Sequence, residues 1–157
     1  LPEHATYPVR WQEVSREAID GVGDGVPRLF FARSGWYGAA PLADVVWAGD
    51  QRTSFDVDDG LPTIVPLGVG LGAVGVSTYA HDIAGYQSAT NPPSTKELFF
   101  RWTELGAWSP VMRTHHGTQP RDEWSWEKDD ETMGELAVVV RDALGGVAWQ
   151  VWPLTIK

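Results

Sequence analysis

Four times along this chain a short apolar run stops on a polar or charged residue, and loops or helical patterns separate one run from the next. Arg28-Leu29-Phe30-Phe31-Ala32 leads into Arg33 and Ser34. Ala43-Asp44-Val45-Val46-Trp47 leads through Ala48-Gly49 to Asp50, Val74-Gly75-Val76-Ser77-Thr78-Tyr79 leads to His81-Asp82, and Val111-Met112-Arg113 leads to Thr114-His115. Compact apolar runs bounded by Gly and Pro suit strands covered on both faces, as in a parallel sheet. Between the second and third runs, Asp58-Asp59-Gly60-Leu61-Pro62 opens a helix carrying Ile64, Val65, Leu67, Val69 and Leu71, with acidic residues and Pro where a first turn favours them. Between the third and fourth, Ser94 or Thr95 caps a helix from Lys96 to Leu105, and Pro110 marks its end. A short amphipathic helix from Trp11 to Ile19 precedes the first strand and is closed by Gly21, Gly23, Gly25 and Pro27.

Strand, polar tip and helix, repeated with short loops, is the pattern of β/α units around a parallel sheet. Open doubly wound sheets and closed barrels both produce it. The barrel is favoured because Arg33, Asp50, Asp82 and His115 all fall just past successive strands, and a barrel brings those carboxyl ends together at one site. A complete barrel takes about 250 residues, so 157 residues hold only part of one. The expected fold class is α/β, a partial (β/α)8 TIM-type barrel over residues 1–133. Residues 134–157 read as an unrecognised tail, strand-like from Leu136 to Val140 and from Val147 to Trp152 around Gly145-Gly146.

Composition narrows the chemistry. Twelve Lys and Arg against 21 Asp and Glu give a net charge of −9, which repels a phosphate backbone and argues against nucleic acid or an anionic membrane as partner. No stretch has the ~18–20 uninterrupted apolar residues of a membrane span. The absence of Cys excludes a thiol nucleophile and a disulfide framework; it fits a reducing compartment, so the cytoplasm is the favoured location. The chain opens on Leu1 without a targeting pattern, which reads as a processed or cut end. Nine Trp are a heavy load, common in cores and in sugar sites, where flat C–H faces stack on rings.

Several motifs fall short of the sites they suggest. Gly70-Leu71-Gly72-Ala73-Val74-Gly75 matches G-x-G-x-x-G, but it follows a helical run and leads into a strand, the reverse of a dinucleotide site; small-residue packing explains it better. His81, Asp82, His115 and His116 lack a metal-ligand spacing, and Ser34 is not in a G-x-S-x-G elbow. No metal and no cofactor is expected. Asp50 is the most suggestive residue: beside Val45-Val46-Trp47 it would meet indole and aliphatic surface, where desolvation disfavours the carboxylate and suits it to general acid work. A turn Asp capping a loop is the plain alternative, and Asp82 before a Gly turn has the same ambiguity.

The string as a whole is more specific. Phe31-Ala32-Arg33-Ser34, Trp47-Ala48-Gly49-Asp50, Asp82-Ile83-Ala84-Gly85-Tyr86, Glu97-Leu98-Phe99-Phe100-Arg101-Trp102 and Pro110-Val111-Met112-Arg113-Thr114-His115 stand in an order and spacing that resemble glycoside hydrolase family 31 over about residues 28–130. That family comprises retaining α-glucosidases, α-xylosidases and sulfoquinovosidases on a TIM-type barrel. The resemblance implies that Asp50 matches the acid/base and that Trp47 walls it. It implies that Arg33, Asp82 and His115 match sugar-contacting residues, and that Arg113 pairs with a carboxylate. An O-glycosyl α-linked carbohydrate is the implied substrate.

Gln51 and Tyr86 stand where most α-glucosidases of the family have Asn and Phe, and with the surrounding residues they resemble the sulfoquinovosidase branch, in which the tyrosine matching Tyr86 helps hold the sulfonate. Gln51 and Tyr86 thus join the expected substrate-binding residues. One departure stands out: no W-x-x-D-type nucleophile motif occurs in residues 1–49. A retaining mechanism needs two carboxyl groups ~5–5.5 Å apart, so the chain is expected to be the acid/base-bearing segment, completed by a missing barrel segment. Unpaired strand edges would favour self-association. The rival reading is a non-catalytic carbohydrate-binding or interaction fragment of the same fold.

Overall fold

The computed structural model describes residues 2–88, 91–117, 119–128, 138–141 and 147–150. Helix α1 (Pro2–Asp20) is followed by strands β1 (Phe31–Ala32) and β2 (Val45–Trp47), a 3₁₀ turn over Leu61–Thr63, helix α2 (Ile64–Ala73), strand β3 (Tyr79–Asp82), helix α3 (Lys96–Gly106) and strand β4 (Val111–Arg113). The strands form one parallel sheet in the order β1-β2-β3-β4. Sequential order with every neighbour parallel is how a barrel winds, since each crossover steps one strand in the same direction. A separate antiparallel pair, β5 (Val138–Arg141) and β6 (Val147–Gln150), falls in the two strand-like stretches of the tail. The boundary expected at residues 133 and 134, and the turn at Gly145-Gly146, lie outside the described residues.

Two elements differ from the sequence expectation. Helix α1 starts at Pro2 and runs through Pro8, although an internal Pro removes one i to i−4 hydrogen bond and argues for a later start. The third strand is displaced from residues 74–79 to Tyr79–Asp82. The cause is the end of α2: Gly75 takes φ +90°, its N–H donates to the Gly72 carbonyl, and the Val76 N–H donates to the Leu71 carbonyl. This is a Schellman close, for which a glycine in left-handed conformation is the favoured residue. Val74-Gly75-Val76 therefore ends a helix, and the polar pair His81-Asp82 belongs to the strand itself. The glycine that packs tightly is also a different one. A Cβ on Gly68 would come within 2.5 Å of the Tyr79 ring, whereas Gly70 and Gly72 face open space.

Helix α3 follows from its sequence directly. The Thr95 side chain accepts from the Leu98 N–H, satisfying one of the first-turn donors that a helix leaves unpaired, and Glu97 sits favourably in that turn. Leu98, Phe99 and Trp102 are buried on one face and join Ile64, Ile83 and Ala84 in the core between sheet and helices.

A polar chain runs through that core. The Trp102 indole N–H donates to His81 Nδ1 at 3.0 Å. Since Nδ1 accepts, the neutral ring carries its proton on Nε2, which donates to Ser109 Oγ at 2.7 Å; Ser109 donates on to the Leu105 carbonyl. Burial holds the His81 pKa down to about 4, against 6.5 ordinarily. Between those two values the unfolded chain binds a proton that the folded chain refuses, so stability rises with pH there and falls on acidification, by about 3 kcal/mol across the window. His81→Gln keeps one acceptor and one donor without titrating. We expect chemical denaturation at pH 7 and pH 4.5 to show this loss in the parent chain and a clearly smaller one in His81→Gln; equal losses would contradict the assignment.

Candidate active site

Side chains alternate across a strand, and the register sorts them. Phe31 pairs with Val45, Trp47 with Ala80, and Asp82 with Arg113, so Phe31, Trp47, Asp82 and Arg113 share one face. His81 and Tyr79 take the opposite face, toward Trp102 and Gly68. This separates His81 from Asp82 and His115 as a would-be metal set. Among the described residues no group of three or more His, Cys, Asp or Glu is arranged to hold a metal ion.

Asp50 and Arg33 meet at the carboxyl end of β1 and β2. Arg33 Nη1 donates to Asp50 Oδ1 at 3.3 Å, and Nη2 lies 3.2 Å from Oδ2, a fork on fork that engages both carboxylate oxygens. The Arg33 guanidinium also lies over the Trp47 ring at 4.8 Å. The carboxylate's closest companion is thus a cation seated on the indole, and Trp47 reaches the site through that cation as well as through its own apolar surface. The Asp50 side chain is 16% exposed and Arg33 56%, so the pair borders solvent and stays open to a ligand.

Asp82 is fully buried, with Arg113 Nη1 3.4 Å from its Oδ1. Burial pushes its pKa up; the charges of Arg113 and His115 oppose the rise, the Asp50 carboxylate adds to it, and the Trp47 indole N–H opposes it slightly. Neither Asp82 oxygen, nor the Trp47 N–H, nor Arg113 Nη1 completes a hydrogen bond of good geometry. Buried polar atoms without such bonds are uncommon. Arg113 is itself fixed by rings, 5.1 Å from Phe31 and 5.7 Å from Trp47.

His115 links the site to the next loop. Its ring lies 4.8 Å from Tyr86 and 6.2 Å from Trp47, tilted to both. The expected residues Arg33, Trp47, Asp50, Asp82, Tyr86, Arg113 and His115 therefore form one connected cluster. Gln51 does not present its side chain in the same way. It is buried, its side-chain Nε2 donates to the Ala48 carbonyl, and its main-chain carbonyl accepts from the Tyr86 and Gln87 N–H groups. It braces the Trp47–Asp50 loop against the Asp82–Tyr86 loop.

Some supporting residues carry no sequence signal. Gln12, buried on α1, donates to the Ser34 carbonyl and anchors the loop after Arg33. Glu123 is buried and bonds Ser88, two residues past Tyr86, and His116, next to His115. An isolated Gln on a polar helix and a Glu in an acidic loop have no spacing that distinguishes them.

Comparison with known proteins adds to this geometry. The family model described as the glycosyl hydrolases family 31 TIM-barrel domain matches residues 3–145. Sulfoquinovosidases of Escherichia coli (strain K12) and Agrobacterium fabrum (strain C58) are each 36% identical over 134 residues, 85% of this chain and 20% of theirs. Neutral alpha-glucosidase AB of Sus scrofa is 34% identical over 120 residues, 75% of this chain and 11% of the relative. A solved family 31 sulfoquinovosidase from E. rectale, in complex with an aza-sugar inhibitor, superposes with a TM-score of 0.80 at 35% identity, covering 85% of this chain and 20% of that one. The chain spans about a fifth of the length of the sulfoquinovosidases it matches.

Proposed function

The chain belongs to glycosyl hydrolase family 31, and from that premise we propose that it is the acid/base-bearing part of a retaining α-glycosidase. The observation that carries the reading is the Arg33–Asp50 fork at the mouth of a cluster holding Trp47, Asp82, Arg113 and His115. Asp50 protonates the departing glycosidic oxygen as the sugar passes to a carboxylate nucleophile, then takes a proton from the water that releases it. Arg33 and His115 hold sugar hydroxyls, so the ring is in register when the bond breaks. Buried Asp82 places negative charge near the oxocarbenium-like transition state, and Arg113 keeps it in place. Gln51 acts through the backbone of the two loops it braces. The nucleophile, the second carboxylate of a retaining pair, is assigned to a residue outside these 157, since residues 1–49 contain no W-x-x-D-type motif.

The substrate is an α-glycoside whose sugar is glucose or its 6-sulfonated analogue. The sulfonated sugar is supported by Tyr86, packed on His115, and by likeness to proteins named sulfoquinovosidases. The test compares p-nitrophenyl α-sulfoquinovoside with p-nitrophenyl α-glucoside in a longer chain that restores the nucleophile strand. We expect the sulfonated substrate to have the higher kcat/KM; a clear preference for the glucoside would remove Tyr86 from sulfonate binding. A sugar-binding role without turnover is the rival reading, supported by the lack of a W-x-x-D-type nucleophile motif in residues 1–49. An in-frame W-x-x-D in the coding DNA upstream of Leu1 favours the enzyme over that rival.

A further inference from the structure

Tyr86 and His115 come from different loops, and their rings lie 4.8 Å apart. Something must hold the two loops together, and among the described residues a buried carboxylate bonds both. Glu123 is 1% exposed. Its Oε1 accepts from Ser88 Oγ at 2.6 Å, two residues past Tyr86, and its Oε2 lies 3.2 Å from His116 Nδ1, next to His115. Its own backbone is held on both sides. The Glu123 N–H donates to the Gln119 carbonyl, and the N–H of the following residue, Trp124, donates to Ser94 Oγ just before α3. A second contact closes the same seam: a Cβ on Gly117 would come within 2.0 Å of the Tyr86 carbonyl oxygen, so the backbone after His116 lies directly on that of Tyr86 and only glycine fits.

We propose that Glu123 is a positioning residue that locks the His115 loop to the Tyr86 loop, so that the two rings form one wall of the substrate site. It touches no substrate. It acts through Ser88 and His116, with the Gly117 contact setting how closely the loops approach. This inference rests on the α-glycosidase reading and deepens it: the part of the sugar that meets Tyr86 and His115 is recognised only while the clamp is closed.

The test uses the longer, active chain with either p-nitrophenyl substrate. Glu123→Gln keeps the shape but cannot bond both partners in the same way, Ser88→Ala removes one partner, and Gly117→Ala wedges the seam without touching the carboxylate. Misplacement of binding groups by a fraction of an ångström to an ångström is costly. Each variant is expected to raise KM by about tenfold or more while changing kcat much less. Thermal melting is followed in parallel. Lowered melting temperature with unchanged KM in all three variants would show a merely structural role and overturn the proposal, as would unchanged KM and melting. Asp50→Asn is the control for the reading beneath it. If Asp50→Asn turns over normally, the glycosidase assignment fails; if it is inactive while the three variants keep the parent KM, only the clamp fails.

Discussion

Asp50→Asn is expected to lower kcat by about 10²–10⁴-fold, the usual contribution of a positioned general acid/base, and the loss should depend on the leaving group. An amide has nearly the carboxylate's shape and keeps an oxygen facing Arg33, so the fold and the Arg33–Trp47 contact persist. What it cannot do is give a proton to the departing oxygen. A methyl or other alkyl α-glycoside needs that proton, so it should lose the full factor. A p-nitrophenyl glycoside leaves as a stable anion and needs little help in the first step, so its glycosyl-enzyme forms and then stalls for want of a base. The measurement is kcat on both substrates, with a pre-steady-state burst for the nitrophenyl compound. Unchanged turnover of the alkyl glycoside would contradict the acid role.

The second large effect is on stability. Asp82 is fully buried and Arg113 is its ion-pair partner, joined to it across adjacent strands. Removing one partner of a buried pair typically costs 3–5 kcal/mol because the remaining charge is left uncompensated. Arg113→Met is expected to destabilise by about that much at pH 7. The sign of its pH dependence follows from Asp82. Burial holds its folded pKa above the unfolded 3.8, so its contribution is favourable at low pH and is lost as pH rises through the folded value. Without Arg113 that value rises further, so the Arg113→Met penalty should be large at pH 7 and shrink toward pH 4 as Asp82 takes a proton. Asp82→Asn in the same chain should recover most of it. The check is a double-mutant cycle by chemical denaturation at both pH values. An additive cycle, or a penalty independent of pH, would contradict the pairing.

More of the candidate site than of its support was legible in the sequence, and for physical reasons. Arg33, Asp50, Asp82 and His115 could be found because strand tips are marked by the abrupt end of an apolar run, and α3 because its cap and amphipathic face are local features. The third strand was harder. Val74-Gly75-Val76 has strand-like composition, and only the hydrogen bonds closing α2 reveal that Gly75 ends a helix. Gln51 could be placed beside Asp50 in sequence, but whether its side chain turns outward or back to the Ala48 carbonyl depends on the loop against it. Glu123 and Ser88 are 35 residues apart, and neither has a neighbour in the chain that hints at the other. Long-range polar contacts of this kind leave no periodicity to read.

The measurement that bears most directly on the whole account is the configuration of the sugar released. With the longer chain carrying both carboxylates, ¹H NMR during hydrolysis of an alkyl α-glycoside should show the α anomer appearing first, followed by slow mutarotation, because two displacements at the anomeric carbon retain its configuration. Release of the β anomer first, or no release of sugar at all, would contradict the assignment of Asp50 and its neighbours to a retaining α-glycosidase.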